Sequence, residues 1–180
     1  MKYQLNKTEF ITDRDIYVRV IQEAVPAAEK FLWIGTSDLK DLYVHKGRNM
    51  VPFLEILSDL IDQGVSIRLI HAKEPGPRFR EDFDKYHGLI EGIERILCPR
   101  IHFKTVVVDG IFAYSGSANL TGSGMGAKSP YKRNFESGII TRDEALIEQI
   151  MDQYDDLWMG NQCEKCERKE YCADYEDILS

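Results

Sequence analysis

The chain has 180 residues, 43 % of them hydrophobic and 29 % charged, and a formal net charge of -7. That is one ordinary domain, large enough to bury a core without staples and too small for two full domains. The composition excludes a disordered chain, and the negative total argues against a general nucleic-acid coat. The acidity is local. Residues 141–180 carry four Lys/Arg against twelve Asp/Glu, while residues 1–140 carry nineteen against eighteen, so a basic cleft remains open to the main body.

No segment approaches the roughly 20 apolar residues of a membrane span. The start, MKYQLNKTEF, lacks the apolar core of a secretory signal, and the chain reads as cytoplasmic.

In chain order, residues 14–29 read as a helix. Ile16, Val20, Ala24 and Ala27 recur at helical spacing, Thr12 or Asp13 caps it, and Pro26 kinks its end. Residues 31–37 are a short apolar run that reads as a buried strand. Residues 38–48 are polar and hold His45, Lys46 and Arg48. Residues 50–64 read as a helix capped by Asn49 and stopped by Gly64. A strand over 65–72, a turn at 73–77, a helix or helical pair over 78–92 and a short strand over 93–99 follow.

Residues 101–110 and 111–117 read as two strands of a hairpin joined at the Asp109-Gly110 step. Residues 118–133 are rich in Gly and Ser and form a loop, and 134–141 read as a further strand. Residues 142–160 form a helix capped by Thr141, with Glu144 completing a capping box. This order predicts an α/β domain whose mixed central sheet is flanked by helices on both faces. Residues 1–160 form that domain, and residues 161–180 are an acidic, cysteine-containing tail packed on it.

The chemistry concentrates around His102. His102 and Lys104 stand two apart on a predicted strand and share a face, with Ile101 and Phe103 on the other. Asp109 closes the strand, and Gly116, Ser117 and Asn119 follow across the hairpin. An imidazole, an ammonium, a hydroxyl and an amide together suit a tetrahedral anion. A neutral imidazole can attack phosphorus and form a covalent intermediate, and Asp109 or Glu136 would accept a hydrogen bond from its second nitrogen.

The stretch IHFKTVVVDGIFAYSGSANL resembles the HKD signature of the phospholipase D superfamily, HxKx4Dx6GSxN, with every named position matched. The order of elements over about residues 10 to 160 is similar too. The resemblance implies that His102 is the nucleophile that becomes a phosphohistidine, that Lys104 and Asn119 bind phosphate, and that Ser117 supports them. It makes Asp109 the motif aspartate, of structural or orienting role, and Glu136 the glutamate that orients the histidine.

Only one such motif is present; His45, His71 and His87 lack partners at matching distances. One motif supplies a nucleophile but no second imidazole for the leaving oxygen. A homodimer with the active site at its two-fold axis supplies the second, and no catalytic metal is implied. The motif does not choose between nucleic acid and lipid. Basic segments 44–49, 71–80 and 126–133, with Tyr131 for stacking, favour DNA or RNA, single-stranded or flexible. The chain thus reads as a metal-independent endonuclease. The alternatives are a phospholipid hydrolase or phosphatidyl transferase, and a nucleic-acid-binding module with little activity.

Cys98, Cys163, Cys166 and Cys172 are the four cysteines. The last three are spaced Cys-x2-Cys-x5-Cys, and the tail folding back on Cys98 would assemble four thiolates. That predicts a structural zinc site, with an iron–sulfur cluster as the alternative.

Overall fold

The computed structural model describes residues 7–173. A seven-stranded sheet forms its centre. Its members are β1 (Thr8–Thr12), β2 (Phe31–Thr36), β5 (Ser66–His71), β6 (Ile93–Leu97), β7 (Lys104–Val108), β8 (Phe112–Gly116) and β9 (Ser137–Thr141). They run in the order β1-β9-β8-β7-β2-β5-β6, while β3 (Tyr43–Lys46) and β4 (Asn49–Pro52) form a separate hairpin. β2, β5 and β6 pair in parallel and the remaining neighbours are antiparallel, so the sheet is mixed as predicted.

Alternation along the central strands splits the core in two. Leu32, Ile34, Val106, Val108 and Tyr114 face helix α1 (14–27) and α2 (Phe53–Asp62), packing with Ile16, Val20, Ile21, Leu54 and Leu57. Trp33, Ile70, Val107 and Ala113 face α5 (Glu144–Trp158), which contributes Ile147 and Tyr154. Helices therefore cover both faces. On the α5 side an aromatic stack forms: Tyr154 lies 5.0 Å from Trp33, 6.1 Å from Trp158 and 6.3 Å from Phe103 between ring centroids. The Arg68 guanidinium sits over both Trp33 and Trp158, at 5.4 and 4.8 Å, a cation–π arrangement that closes the stack from one side.

Several local readings change. α1 is not uniform: an α turn at Arg14–Ile16 passes into a π-helix at Tyr17–Ala24 and a 3-10 turn at Val25–Ala27 that contains Pro26. α2 begins at Phe53 because Pro52 holds Val51 extended, and 49–52 pair with 43–46 instead. The 78–92 region resolves into the pair α3 (Pro77–Phe83) and α4 (Gly88–Gly92). Asp143, not Thr141, caps α5 by accepting a bond from Leu146 N at 3.2 Å, and the Thr141 hydroxyl instead accepts from Asp143 N. Beyond α5 the chain turns back, and the Cys172 thiol donates to the Leu97 carbonyl at the end of β6. Residues 174–180 of the predicted tail lie outside the described residues. Among the described residues no helix is long and apolar enough to cross a membrane.

Candidate active site

Four strand ends meet at one edge of the sheet. Lys104 opens β7 and pairs with Gly116 at the end of β8. Gly116 pairs in turn with Gly138 near the start of β9. On the other side Gly35 pairs with Thr105, which brings Thr36, the last residue of β2, beside Lys104. His102, Lys104, Ser117, Asn119 and Glu136 all lie at this edge because register leaves them there.

His102 is exposed and stands just before β7, with Ile101 and Phe103 turned into the α5-side core as alternation predicts. Gly35 makes room: a Cβ there would collide with the Phe103 ring. Lys104 is 5 % exposed. Its ammonium donates to the His102 carbonyl at 2.6 Å and stands 3.4 and 3.5 Å from the two ring nitrogens. Burial pulls the Lys104 ammonium below the ordinary lysine range, and the nearby Glu136 charge opposes this in part. A buried cation gains from a bound anion what it lost in solvation.

The Asn119 side chain is locked by its carbonyl oxygen, which accepts from Ser37 Oγ at 2.8 Å, Asp38 N at 3.1 Å and Thr36 Oγ1 at 3.3 Å. Three donors on Oδ1 fix the amide's orientation and reserve Nδ2 as the donor end. Tyr114 sets the turn that carries Asn119. Its ring is fully buried against the Gly116–Gly138 pair, where either Cβ would strike it, and its hydroxyl accepts from Ala118 N. Burial pushes its phenol up to about 12, so it stays neutral.

Glu136 is joined to Ser117 rather than to the imidazole. One carboxylate oxygen accepts the Ser117 hydroxyl and the other accepts Asn134 Nδ2. Asp13 positions Glu136 from outside the motif: its carboxylate accepts Glu136 N at 2.9 Å and its own N–H donates to Glu136 O at 3.0 Å. It does so with φ at 46°, a left-handed value uncommon in a residue other than glycine. Arg14 extends the clamp by donating to the carbonyls of Gly126 and Ala127. Asp13 thus does not cap α1 through its side chain. Nothing in its sequence neighbourhood signals the contact with Glu136, which is 123 residues away.

Asp109 is brought elsewhere. It turns the β7–β8 hairpin at φ 54°, five residues from Lys104 and so about 17 Å along the strand. Its carboxylate accepts the N–H groups of Glu29, Lys30 and Phe31, each at 2.8 Å. The motif aspartate therefore launches β2 and leaves the edge where His102 lies. Burial pushes its carboxyl up, but the three N–H donors outweigh this and hold it below the usual value.

The expected zinc or iron–sulfur site at Cys98, Cys163, Cys166 and Cys172 is overturned. Among the described residues no group of three or more His, Cys, Asp or Glu is placed to hold a metal ion. The tail does return to the Cys98 segment, and the four thiols border one cavity of about 130 Å³. They do not form a metal-binding group, and two of them have other partners. Cys166 accepts Arg168 N, with the Arg100 guanidinium beside it. Cys172 donates to a carbonyl, and burial pushes the Cys163 thiol up. A tetrahedral ion needs all four sulfurs about 2.3 Å from one point.

Of the basic segments, 126–133 adjoins this site through Asn134. In segment 44–49, Lys46 is neutralised by Glu55 and Asp59 of α2 at 2.7 and 2.6 Å.

Comparison with solved structures agrees with the architecture. The fold is similar to that of Nuc from Salmonella typhimurium, a phospholipase D family member, with TM-score 0.62 and 15 % identity over 84 % of this chain and 93 % of that one. It is similar to NucT from Helicobacter pylori, with TM-score 0.63 and 14 % identity over 92 % and 97 %. It also resembles phosphatidylserine synthase from Haemophilus influenzae Rd KW20, with TM-score 0.56 and 17 % identity over 83 % of this chain and 37 % of that one. No curated protein sequence matches. The family model described as "Cardiolipin synthase, PLD-like domain" matches residues 13–158, which span every strand of the sheet except β1, its helices and the His102 edge, and the chain belongs to that phospholipase D-like family.

Proposed function

We propose that this protein is a phosphodiesterase that cleaves nucleic acid through a phosphohistidine at His102. The observation that carries the reading is the sheet edge itself. A buried ammonium, Lys104, is held against the exposed imidazole of His102, and the locked amide of Asn119 shares that edge. Groups fixed before substrate arrives stabilise developing charge without reorganisation.

His102 attacks phosphorus, the phosphoryl oxygens are held by Lys104 and Asn119, and the bond to the leaving oxygen breaks. That oxygen takes a proton from His102 of a second copy across a two-fold axis. The same imidazole then removes a proton from water, which displaces His102 and frees the phosphate. Ser117 and Glu136 brace the edge, and Asp109 holds the hairpin. Residues 161–180 serve as a tail on the 1–160 catalytic domain.

A nucleic-acid substrate is favoured by the loop beside the site. Tyr131 and Phe135 are 98 % and 94 % exposed, and Lys128, Lys132 and Arg133 lie between or near them. Aromatic faces interleaved with cations suit single strands. The test is cleavage of end-labelled single- and double-stranded DNA and RNA in excess EDTA by wild type and His102→Ala. The expected result is chelator-resistant cleavage that vanishes in the variant. Folded, dimeric protein that cuts no oligonucleotide sinks the nuclease reading. The description of the matching family favours phosphatidyl transfer as the second reading, and phosphatidylglycerol vesicles in the same assay test it.

A further inference from the structure

A polar cavity of about 210 Å³ opens beside Asn119, bordered also by Asp38, Lys40, Asp41, Ser123, Lys128 and Asn134. It is built rather than incidental. Backbone bonds tie its two walls, Lys40 N to Leu120 O and Gly122 N to Asp41 O, and tie its loop, Lys128 N to Gly122 O and Asn134 N to Ser123 O. The aliphatic stem of Lys128 lies over Gly122, where a Cβ would come within 3.2 Å of Lys128 Cε.

The cavity touches the reacting edge at two points. Asn119 is the amide assigned to the phosphate, and Asn134 donates to the Glu136 carboxylate that also receives Ser117. Its charges cancel. Lys40 and Lys128 stand against Asp38 and Asp41, and Lys40 is already paired with Asp38 at 2.8 Å. A second phosphate would meet as many carboxylates as ammoniums. A neutral ring carrying both donors and acceptors would meet partners for each. The volume is below the roughly 300–1,000 Å³ of cavities that take drug-sized ligands and suits a single heterocycle.

We propose that this cavity is a nucleobase subsite: it holds the base next to the scissile phosphate and sets which nucleotide flanks the cut. This rests on the nuclease reading above. Base edges are discriminated by side-chain amides, carboxylates and ammoniums of the kinds that border the cavity.

The experiment measures kcat/KM on a single-stranded oligonucleotide and on copies with one abasic residue on either side of the cut. Wild type is compared with Ser123→Trp, which fills the cavity, and with Lys128→Ala, which disturbs the loop less. In wild type, removing the base on one side lowers kcat/KM by about tenfold, the scale of one lost set of base contacts. In both variants that loss shrinks toward nothing, because the two changes remove the same interaction. An abasic penalty that is absent in wild type, or that survives undiminished in both variants, overturns the proposal.

If no oligonucleotide is cut at all, the nuclease reading fails separately. The cavity is then read by binding, with His102→Ala titrated with the four deoxynucleoside 5′-monophosphates and with deoxyribose 5-phosphate. Tighter binding of at least one nucleotide, abolished by Ser123→Trp, supports the subsite. Equal affinity for nucleotide and sugar phosphate overturns it.

Discussion

Burying an ammonium costs solvation free energy, and Lys104 carries that cost at the edge where an anion would repay it. Because its folded pKa is lowered, the penalty is full below that folded value. It is relieved as pH rises from there toward the ordinary lysine value of about 10.4. Lys104→Met is therefore expected to abolish cleavage while raising stability by about 1 kcal/mol at neutral pH. Urea titrations across pH 7 to 10 check this: the gap between variant and wild type narrows as pH rises. Asp109 has the opposite sign. Its depressed carboxyl contributes stability that is present above the unfolded value of about 3.9 and is lost as pH falls through the lower folded value. Asp109→Ala strands three N–H groups and is expected to cost about 2–4 kcal/mol at pH 7. Since the residue sits at the far end of β7, kcat per folded molecule is retained. Denaturation curves beside active-fraction kinetics separate the two effects, and a large kcat loss in folded Asp109→Ala would return this residue to the chemistry.

At the scale of elements, Gly116 and Gly138 allow β8 and β9 to close over Tyr114. A Cβ on Gly116 would crowd the Tyr114 hydroxyl, the Ser137 carbonyl and the Gly138 backbone. Gly116→Ala is expected to cost roughly 1–3 kcal/mol and to separate Ser117 from Glu136, seen as lower activity together with a lower melting temperature. Tyr114→Phe, which loses only the bond from Ala118 N, is expected to cost about 1 kcal/mol. The central strands and α5 were legible in sequence because their apolar periodicity is strong, and the proximity of His102 to Lys104 was legible from their spacing of two, although His102 stands just before β7 rather than on it. β1 was not legible. It carries one buried residue, Ile11, and exists through its pairing with β9 more than 120 residues away. The hairpin before α2 was hidden because Met50 and Val51 continue the apolar pattern of the helix, and only Pro52 breaks it. Asp13 was invisible for the same reason as β1: local spacing made it a cap, and a distant strand made it a clamp. Cysteine spacing pointed to the return of the tail to Cys98 but not to the partners that Cys166 and Cys172 take there, Arg100 and Arg168 for the one and the Leu97 carbonyl for the other.

For the whole molecule, the proposed mechanism, with one motif per chain, would make activity a property of pairs. Mixing wild type with an equal amount of inactive partner discriminates a shared site from two independent ones. If both imidazoles are needed, equilibrated equimolar wild type and His102→Ala retain about a quarter of the activity of the wild-type protein at the same total concentration, because only wild-type pairs work. If each copy works alone, half remains. Sedimentation at the assay concentration tests for the pair independently, and a monomer there would overturn the shared site. The aromatic stack on the α5 face has an optical consequence. The chain holds two tryptophans, Trp33 and Trp158, and both lie against Tyr154 under the same Arg68 guanidinium. Tyr154 also meets Phe103, the residue between His102 and Lys104. Intrinsic fluorescence of this protein is thus a single-location probe: excitation at the red edge of the indole band watches the seating of α5 and the segment that presents His102, without any label.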